Sequence, residues 1–285
     1  MYPANFEYYR AESVEEAVKL LGEHEDAKLL AGGHSLIPMM KLRLANPGAL
    51  IDVGRIDELK GISTDGDVCH VGALATHNEI AGSVLNHSTP LVAEAASKIA
   101  DPAVRNKGTI GGSIAHADPA SDLPATLLAA GATMHISGPG GNREVAAKDF
   151  FTDFLETAVG EGEILTHIDV PCLGDGTGSA YSKMEHPASG YALVGAAAVL
   201  TVNGGKCTAA SLALNGAAAI PHVQGAVGDA LVGSDLSDDA IDAAVDKLSI
   251  DEPMADVYAS GDYRVALAKV YAKRALKAAR DRANG

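Results

Sequence analysis

Two pairs of adjacent glycines, Gly32-Gly33 and Gly111-Gly112, constrain the fold of this chain more than any other feature. The first pair follows a short, largely apolar run at residues 28–31 and precedes a segment of helical character at residues 38–42. This order predicts a buried strand that breaks into a tight turn before a helix. Because glycine allows the backbone to direct successive N–H groups toward one point, such a turn can bind phosphate oxygens. An ordinary strand-to-helix connection is the alternative interpretation.

The second glycine pair has polar neighbours that suit the same kind of ligand. Thr109 and Ser113 place hydroxyl groups on either side of the pair, and Asp122 supplies a carboxylate at a predicted helix start. Such a carboxylate suits a polyol, for example the ribityl chain of a flavin; stabilisation by the helix dipole is the alternative reason for its position. The sequence contains neither GxGxxG nor GxxxxGK[ST], so the Rossmann and Walker phosphate motifs are absent. Two turns of this kind can together clamp a pyrophosphate.

The predicted elements indicate an α+β fold. Residues 1–55 form an α/β unit in which a helix at residues 13–21, with capping-box spacing, precedes the first glycine turn. A second α+β unit over residues 56–173 contains a helix at residues 91–100 and another that ends at Gly131. We expect these two units to form the first of two domains.

The first domain, residues 1–173, is predicted to end at a glycine-rich linker over residues 174–178. The second domain, residues 179–285, contains Asn203-Gly204-Gly205 between two apolar runs, which predicts a hairpin because Asn and Gly tolerate positive φ. Three amphipathic segments close the chain, near residues 222–232, 237–248 and 262–282. The last of them is basic, as expected for a solvated helix with cations near its C-terminus.

Composition and charge exclude several functions. The 22 Lys and Arg residues face 37 Asp and Glu residues, and a net charge of -15 disfavours binding to nucleic acid or to an anionic membrane. No run approaches the roughly 20 apolar residues of a membrane span, and the N-terminus lacks a secretory signal, so we expect a cytoplasmic protein. Cys69, Cys172 and Cys207 form no CxxC motif, which disfavours an iron-sulfur cluster. The histidines form no metal-binding motif, and we expect no metal site.

Together, the two glycine motifs resemble the flavin subunits of molybdenum hydroxylases. The stretch at residues 31–43, AGGHSLIPMMKLR, is specifically similar to the medium subunits of aerobic carbon monoxide dehydrogenases, and residues 109–113 and 120–124 fit the same family. Xanthine dehydrogenase has a related FAD region. The resemblance covers essentially the whole chain. It implies an FAD-binding domain of the p-cresol methylhydroxylase and vanillyl-alcohol oxidase type, followed by a smaller C-terminal domain of antiparallel strands and helices.

The resemblance also implies which residues contact FAD. It assigns backbone N–H groups of both glycine turns to the pyrophosphate, and the side chains at and after the second turn to the phosphate or ribityl side. In the C-terminal domain it brings a lysine and a tyrosine to the flavin, although family members often carry an acidic residue where this chain has Gly190. The residues expected to contact the cofactor are Lys28, Ala31, Gly32, Gly33, His34, Ser35 and Leu36; Thr109, Gly111, Gly112, Ser113 and Asp122; Ile99, Ala100 and Val104 near the adenine; Ile164 or Leu165 near the ring; and Lys183 and Tyr191.

By this resemblance, the chain is an electron-transfer subunit with non-covalently bound FAD. A small partner subunit would carry two [2Fe-2S] clusters and a large one the molybdopterin cofactor, usually in a dimer of heterotrimers. We expect neither molybdenum chemistry nor a catalytic residue on this chain. Two other hypotheses stay open. A stand-alone oxidase of the vanillyl-alcohol oxidase superfamily could link FAD covalently to His34, and an assembly module without flavin could dock through the basic last helix.

Overall fold

The computed structural model describes residues 2–284 and begins with a three-stranded parallel sheet. The elements of this first unit are β1 (Glu7–Arg10), α1 (Val14–Glu23), β2 (Ala27–Leu30), α2 (Leu36–Lys41) and β3 (Ala49–Asp52). The strands pair in the order β1-β3-β2. Helix α1 is capped by Ser13, whose hydroxyl accepts the N–H of Glu16, and its apolar side packs on the sheet. The first glycine turn therefore lies at the carboxyl end of β2, where α2 begins.

The second unit is built on a five-stranded antiparallel sheet. Its strands are β4 (Ile62–Asp65), β5 (Val68–Gly72), β6 (Thr133–Gly138), β7 (Gly141–Ala146), the short pair β8 (Phe151–Asp153) and β9 (Glu156–Thr157), and β10 (Ile164–Pro171). The sheet order is β4-β5-β10-β6-β7, so the last strand of the unit lies in the middle. Strands β8 and β9 pair separately. Side chains alternate between a buried face and a solvent face, as expected for a sheet covered on one side.

Helices cover the buried face of this sheet. They are α3 (His77–Ala81), α4 (Leu85–Ser88), α5 (Pro90–Ser97), α6 (Pro102–Arg105), α7 (Ile110–His116), α8 (Asp122–Ala130) and α9 (Ala147–Phe150). Helix α8 is buried along nearly its whole length and ends at Gly131, with φ +70°, as predicted. Helix α5 ends at Ser97 rather than at Ala100, because the chain turns there and Ala100 adopts a positive φ of 40°.

The C-terminal domain packs three helices on an antiparallel sheet. Its elements are β11 (Thr177–Glu185), β12 (Ala192–Asn203), β13 (Lys206–Asn215), β14 (His222–Val223), α10 (Gly225–Leu231), α11 (Asp238–Val245) and α12 (Gly261–Ala283). The strands follow one another in order across the sheet. Gly204 and Gly205, with φ of +56° and +72°, form the predicted hairpin turn. Helix α12 lies along β11 and β12 and closes a separate core.

The predicted α+β class, with a C-terminal domain of antiparallel strands and helices, is confirmed. The expected linker is corrected at its end, because Thr177 and Gly178 belong to β11. Helix α12 packs so closely there that a Cβ on Gly178 would lie 2.0 Å from the Ala279 carbonyl oxygen. The domain boundary itself stays a prediction. Within residues 2–284, no helix combines the length and hydropathy needed to cross a bilayer.

Candidate cofactor-binding site

The first glycine turn, residues 31–36, presents backbone amides that the rest of the chain does not use. Gly33 adopts φ +72°, and α2 begins three residues later. Within residues 2–284, the N–H groups of Gly33, His34 and Ser35 have no hydrogen-bond acceptor. The ring Nδ1 of His34 lies 2.9 Å from the Gly32 carbonyl oxygen, which holds this side chain in the turn. Consecutive amides left unpaired at a bend form an anion-binding nest.

The two glycine turns touch each other. A Cβ on Gly32 would lie 1.9 Å from the Lys107 carbonyl oxygen and 3.0 Å from the Cα of Gly108, so only glycine permits this approach. Lys107 and Gly108 lead directly into the second glycine turn, residues 108–113. The two bends, 75 residues apart in sequence between Gly33 and Gly108, therefore converge on one place. A single ligand can reach both.

The amides of the second turn are engaged within the chain. Gly111 N–H donates to the Ala73 carbonyl at 2.9 Å, and Gly112 N–H donates to the Thr109 hydroxyl at 3.2 Å. A Cβ on Gly111 would lie 2.5 Å from the Ala73 Cβ, so glycine is required here for close packing. The resemblance assigned these two amides to a pyrophosphate, and that assignment stays a prediction; in the structure both glycines lie in the first turn of α7, where these hydrogen bonds hold them. Ser113 keeps a partly exposed hydroxyl, 2.7 Å from that of Ser121.

Ile99, Ala100 and Val104 gather beside the second turn. The Arg105 guanidinium donates to the carbonyls of Ile99 and Ala100 at 2.8 and 2.9 Å, and Gly108 N–H donates to the Val104 carbonyl at 2.7 Å. All three apolar residues are half-buried, so each has surface left to contact a ligand. The structure thus brings the predicted apolar shelf next to the point where the two turns meet.

Asp122 and Lys183 form a buried ion pair behind the turns. Their side chains are 5% and 3% exposed, and the Lys183 Nζ lies 3.0 Å from the Asp122 carboxylate. The other carboxylate oxygen accepts the hydroxyl of Tyr181 at 2.5 Å. Burial raises the pKa of Asp122, and the Lys183 ammonium acts in the opposite direction. Burial also raises the pKa of the Tyr181 hydroxyl well above its ordinary value. Tyr181 therefore stays a hydrogen-bond donor to this carboxylate.

Lys183 has no donor left for a ligand in this arrangement. Besides Asp122, its ammonium donates to the carbonyls of Lys98 and Gly190 at 2.8 and 2.7 Å. The lysine was expected to reach a flavin and Asp122 to hold a ribityl chain; those contacts stay predictions. The structure assigns both side chains a positioning role, because their hydrogen bonds fix the backbone just before Tyr191.

Tyr191 follows Gly190, whose backbone lies against Ala100 of the apolar shelf. It is 44% exposed, and burial of the remainder raises the pKa of its hydroxyl, with the charges of Asp118 and Asp122 adding to the effect. The preceding Gly190 has φ +73°, and a Cβ there would lie 3.1 Å from the Cα of Ala100. The positive φ and this contact both favour glycine at position 190.

Three further residues expected to contact FAD lie in buried cores or on the exposed side of β2, and their contacts stay predictions. Ile164 and Leu165 are buried in the cores on either side of β10, which leaves almost no surface for a ligand. Lys28 projects from β2 into solvent. An apolar residue such as Ile164 or Leu165 can belong to a core or contact a ligand, and the sequence alone does not distinguish the two. All three residues were assigned to the cofactor by the family resemblance alone.

His77 is a site residue that the motifs missed. Its ring is buried against Gly108, and its backbone N–H donates to the Gly108 carbonyl at 3.0 Å. The ring Nδ1 has no hydrogen-bond partner within residues 2–284. Burial, with smaller contributions from His34 and Arg105, lowers the pKa of His77 to about 4. The local signal is a capping box formed by Thr76 and Glu79, which places His77 in the first turn of α3.

Two family models together match almost the whole chain. Residues 4–173 match the FAD binding domain in molybdopterin dehydrogenase, and residues 179–279 match the CO dehydrogenase flavoprotein C-terminal domain. The chain therefore belongs to the family of FAD-binding medium subunits of carbon monoxide dehydrogenase-type molybdenum hydroxylases. It is an oxidoreductase subunit, and the predicted family, fold type and FAD cofactor are confirmed.

Individual relatives match over their full length. The carbon monoxide dehydrogenase medium chain of Hydrogenophaga pseudoflava is 43% identical, with 98% of each chain covered. The glyceraldehyde dehydrogenase medium chain of Sulfolobus acidocaldarius is 38% identical, with 97% of this chain and 99% of the relative covered. Among solved structures, reconstituted CO dehydrogenase from Oligotropha carboxidovorans has a TM-score of 0.96 at 41% identity, covering 99% of this chain and 100% of the other. Quinoline 2-oxidoreductase from Pseudomonas putida 86 has a TM-score of 0.94 at 33% identity, covering 99% of each.

Proposed function

We propose that this chain relays electrons from the [2Fe-2S] clusters of a small partner subunit, through FAD, to an external acceptor. A large partner subunit with the molybdopterin cofactor carries out the substrate chemistry, and the assembly is a dimer of heterotrimers. The observation that carries this proposal is the contact between Gly32 and residues 107–108. It brings three amides that have no acceptor among residues 2–284 against the second glycine turn. Such a bend provides a place for an anionic diphosphate.

The residues at this place fit FAD. Amides of Gly33, His34 and Ser35 would bind phosphate oxygens, and the partly exposed hydroxyl of Ser113 offers a further donor. The half-buried shelf of Ile99, Ala100 and Val104 would hold an apolar part of the cofactor. When bound, FAD supplies an exchange between one- and two-electron transfer, which suits a relay between clusters and a two-electron acceptor.

Tyr191 and the buried ion pair define the flavin side of the proposed site. An exposed tyrosine ring offers a flat face on which an aromatic ring can stack. Because burial and nearby carboxylates raise the pKa of Tyr191, its hydroxyl stays protonated at neutral pH and adds no negative charge. Lys183, held by three acceptors, keeps the Gly190 carbonyl and thus the tyrosine backbone in place. These residues bind and orient; none of them is proposed to transfer a proton.

The cysteine content supports placing the clusters on a partner. A [2Fe-2S] cluster usually takes four thiolates, whereas the whole chain contains three cysteines. All three are free thiols. The Sγ atoms of Cys69, on β5, and Cys172, just after β10, lie 3.3 Å apart. Cys207 lies in the C-terminal core. Electrons that reach this chain must then arrive from clusters bound elsewhere.

Rapid mixing with a reduced partner tests the proposal. The FAD-loaded chain is mixed without oxygen with a separately purified, reduced iron-sulfur subunit, and flavin absorbance near ~450 nm is followed. We expect bleaching that depends on the partner and does not occur when the chain is mixed with carbon monoxide, an aldehyde or an N-heterocycle alone. Direct reduction by a substrate in the absence of any partner would instead identify a stand-alone oxidase and overturn the proposal.

Acid precipitation separates non-covalent from covalent FAD. His34 Nδ1 is within hydrogen-bond distance of the Gly32 carbonyl, which favours a side chain that supports the turn over one that attaches to the flavin. We therefore expect all flavin in the supernatant after precipitation. Flavin that stays with the pellet, and is lost in His34→Ala, would support the covalent alternative.

A further inference from the structure

Four polar side chains converge on the solvent face of the five-stranded sheet. His70 lies on β5, His135 on β6, and His167 and Asp169 on the middle strand, β10. The strand register places Asp169 directly opposite His70, and His167 directly opposite His135. Directly paired residues of antiparallel strands project to the same face, with Cβ atoms about 5 Å apart. The cluster is therefore fixed by the sheet topology and is invisible as a sequence motif.

Three of these side chains bring potential ligand atoms together. One ligand atom each from His70, His167 and Asp169 lie within 4.8 Å of one another. His70 Nδ1 is 2.5 Å and His167 Nε2 is 3.9 Å from the same carboxylate oxygen of Asp169. A tetrahedral zinc ion with bonds of about 2.0 Å requires donor atoms roughly 3.3 Å apart. Each of these two distances would reach that spacing with a change of less than about 1 Å, one opening and one closing, and the two imidazole nitrogens, which lie within 4.8 Å of each other, would also have to approach.

We propose that His70, His167 and Asp169 bind one divalent transition-metal ion of the zinc type. Two imidazoles and one carboxylate are a donor set suited to such ions, and a fourth position stays open to water. The proposed site shares no residue with the cofactor site, and it is independent of the proposed electron-transfer function.

His135, on the neighbouring strand β6, contacts two of the proposed ligands. Its Nε2 lies 3.0 Å from the second oxygen of Asp169, so it can hold this oxygen while the first binds the ion. Ligating carboxylates are commonly fixed by such a second hydrogen bond. The His135 ring also stacks on that of His167, with centroids 4.0 Å apart and planes at 13°, which fixes the direction of the ligating imidazole. Glu144, 3.8 Å from the other nitrogen of His135, adds negative charge near a bound cation.

The cluster is accessible from solvent. The side chains of His70 and His167 are 40% and 39% exposed, and that of Asp169 is 22% exposed. A cavity of about 290 Å³ adjoins the site and is lined by His135, Glu144, Thr166 and His167 among others. An ion can therefore enter the folded protein and bind without disrupting the core beneath the sheet. Once bound, it would link β5 to β10 across their shared face.

Zinc binding by the tag-free, full-length, FAD-loaded chain tests the inference. The protein is treated with a chelator, dialysed against about 10 µM Zn²⁺, and its metal content is measured by mass spectrometry. We expect one retained zinc per chain in the wild type and in His87→Ala, which changes an exposed histidine on α4. The conservative change Asp169→Asn and the double change His70→Ala/His167→Ala should each abolish retention, with circular dichroism and flavin content unchanged.

The supporting role of His135 predicts an intermediate result. His135→Gln should keep one zinc per chain at saturation but weaken its affinity about 10- to 100-fold, because it removes a partner of the ligating carboxylate. The inference is overturned if the wild type retains no zinc under these conditions. It is also overturned if Asp169→Asn and His70→Ala/His167→Ala retain as much zinc as His87→Ala.

Discussion

The two glycine turns look alike in sequence but use their backbones differently. Each has a pair of adjacent glycines, but the first pair precedes helix α2, whereas the second pair lies in the first turn of α7. Across the described part of the chain, the amides of Gly33, His34 and Ser35 in the first turn have no acceptor. Those of Gly111 and Gly112 in the second donate to a carbonyl and a hydroxyl group. A glycine pair therefore indicates a tight bend, and the hydrogen-bond partners of its amides decide whether the bend binds a ligand or secures the fold.

The largest effect is expected where the two turns touch. Gly32→Val would force a side chain into the Lys107 carbonyl, 1.9 Å from the ideal Cβ position, and so separate the turns. We expect FAD affinity to fall at least about 100-fold, equivalent to roughly 3 kcal/mol. Flavin content after gel filtration measures this directly. Gly22→Ala serves as the control, because a Cβ on Gly22 in helix α1 meets nothing within 4 Å; this variant should keep its flavin.

The ion pair behind the second turn tests whether that region is structural. Lys183→Met would leave the Asp122 carboxylate buried without its cation, which costs about 3 to 5 kcal/mol of folding free energy. Chemical denaturation of the flavin-free chain should show this loss. Adding Asp122→Asn to Lys183→Met should recover part of it, since no buried charge then remains. If the single variant unfolds like the wild type, the pair is not the structural support that the geometry indicates.

His77 makes the second turn sensitive to acid. Its pKa is lowered to about 4 from 6.5, mainly by burial, so between these values the unfolded chain binds a proton that the folded chain does not. Stability therefore falls as the pH drops from 6.5 to 4, by roughly 3 kcal/mol if this group acts alone. His77→Gln should flatten this part of the stability profile, whereas His87→Gln, on the surface, should not. Parallel profiles for all three proteins would contradict the assignment.

Local patterns predicted the parts of the fold that depend on local chemistry. The Ser13 cap, the end of α8 at Gly131 and the turn at Gly204-Gly205 each follow from a few adjacent residues, and each is confirmed. The contact between Gly32 and Lys107, the burial of Lys183 and the convergence of histidines on the sheet depend on chain segments far apart in sequence. Periodicity and motif spacing carry no information about such pairings, so the roles of these residues could not be read from the sequence.

The role of a glycine could not be predicted from the sequence where tertiary packing determines it. Gly178 was predicted to be part of a flexible linker, but it lies in β11, and it is glycine there because helix α12 leaves no room for a Cβ. Gly190 is likewise favoured by a close contact, here with Ala100. When only the adjacent residues in the sequence are considered, a glycine predicts a turn. Glycine, which has no side chain, is equally favoured where two backbones approach closely. Only the segment that packs against the glycine in the folded chain shows which of these two roles it has.

The smallest predicted effects separate the turns most cleanly, because Ser35 and Thr109 are both helix N-caps. The Thr109 hydroxyl accepts the Gly112 N–H, whereas the Ser35 hydroxyl makes no capping bond. Thr109→Val should therefore cost about 1 kcal/mol of stability with or without FAD. We expect the Ser35 hydroxyl to donate to the cofactor beside the amides of the turn. Ser35→Ala keeps the amide and removes this hydroxyl, so it should leave the flavin-free chain unchanged within about 0.5 kcal/mol but weaken FAD binding about 5-fold, the loss of one hydrogen bond. Thermal unfolding and flavin titration of both variants give the four values, and the reverse pattern would mean that the second turn, not the first, holds the ligand.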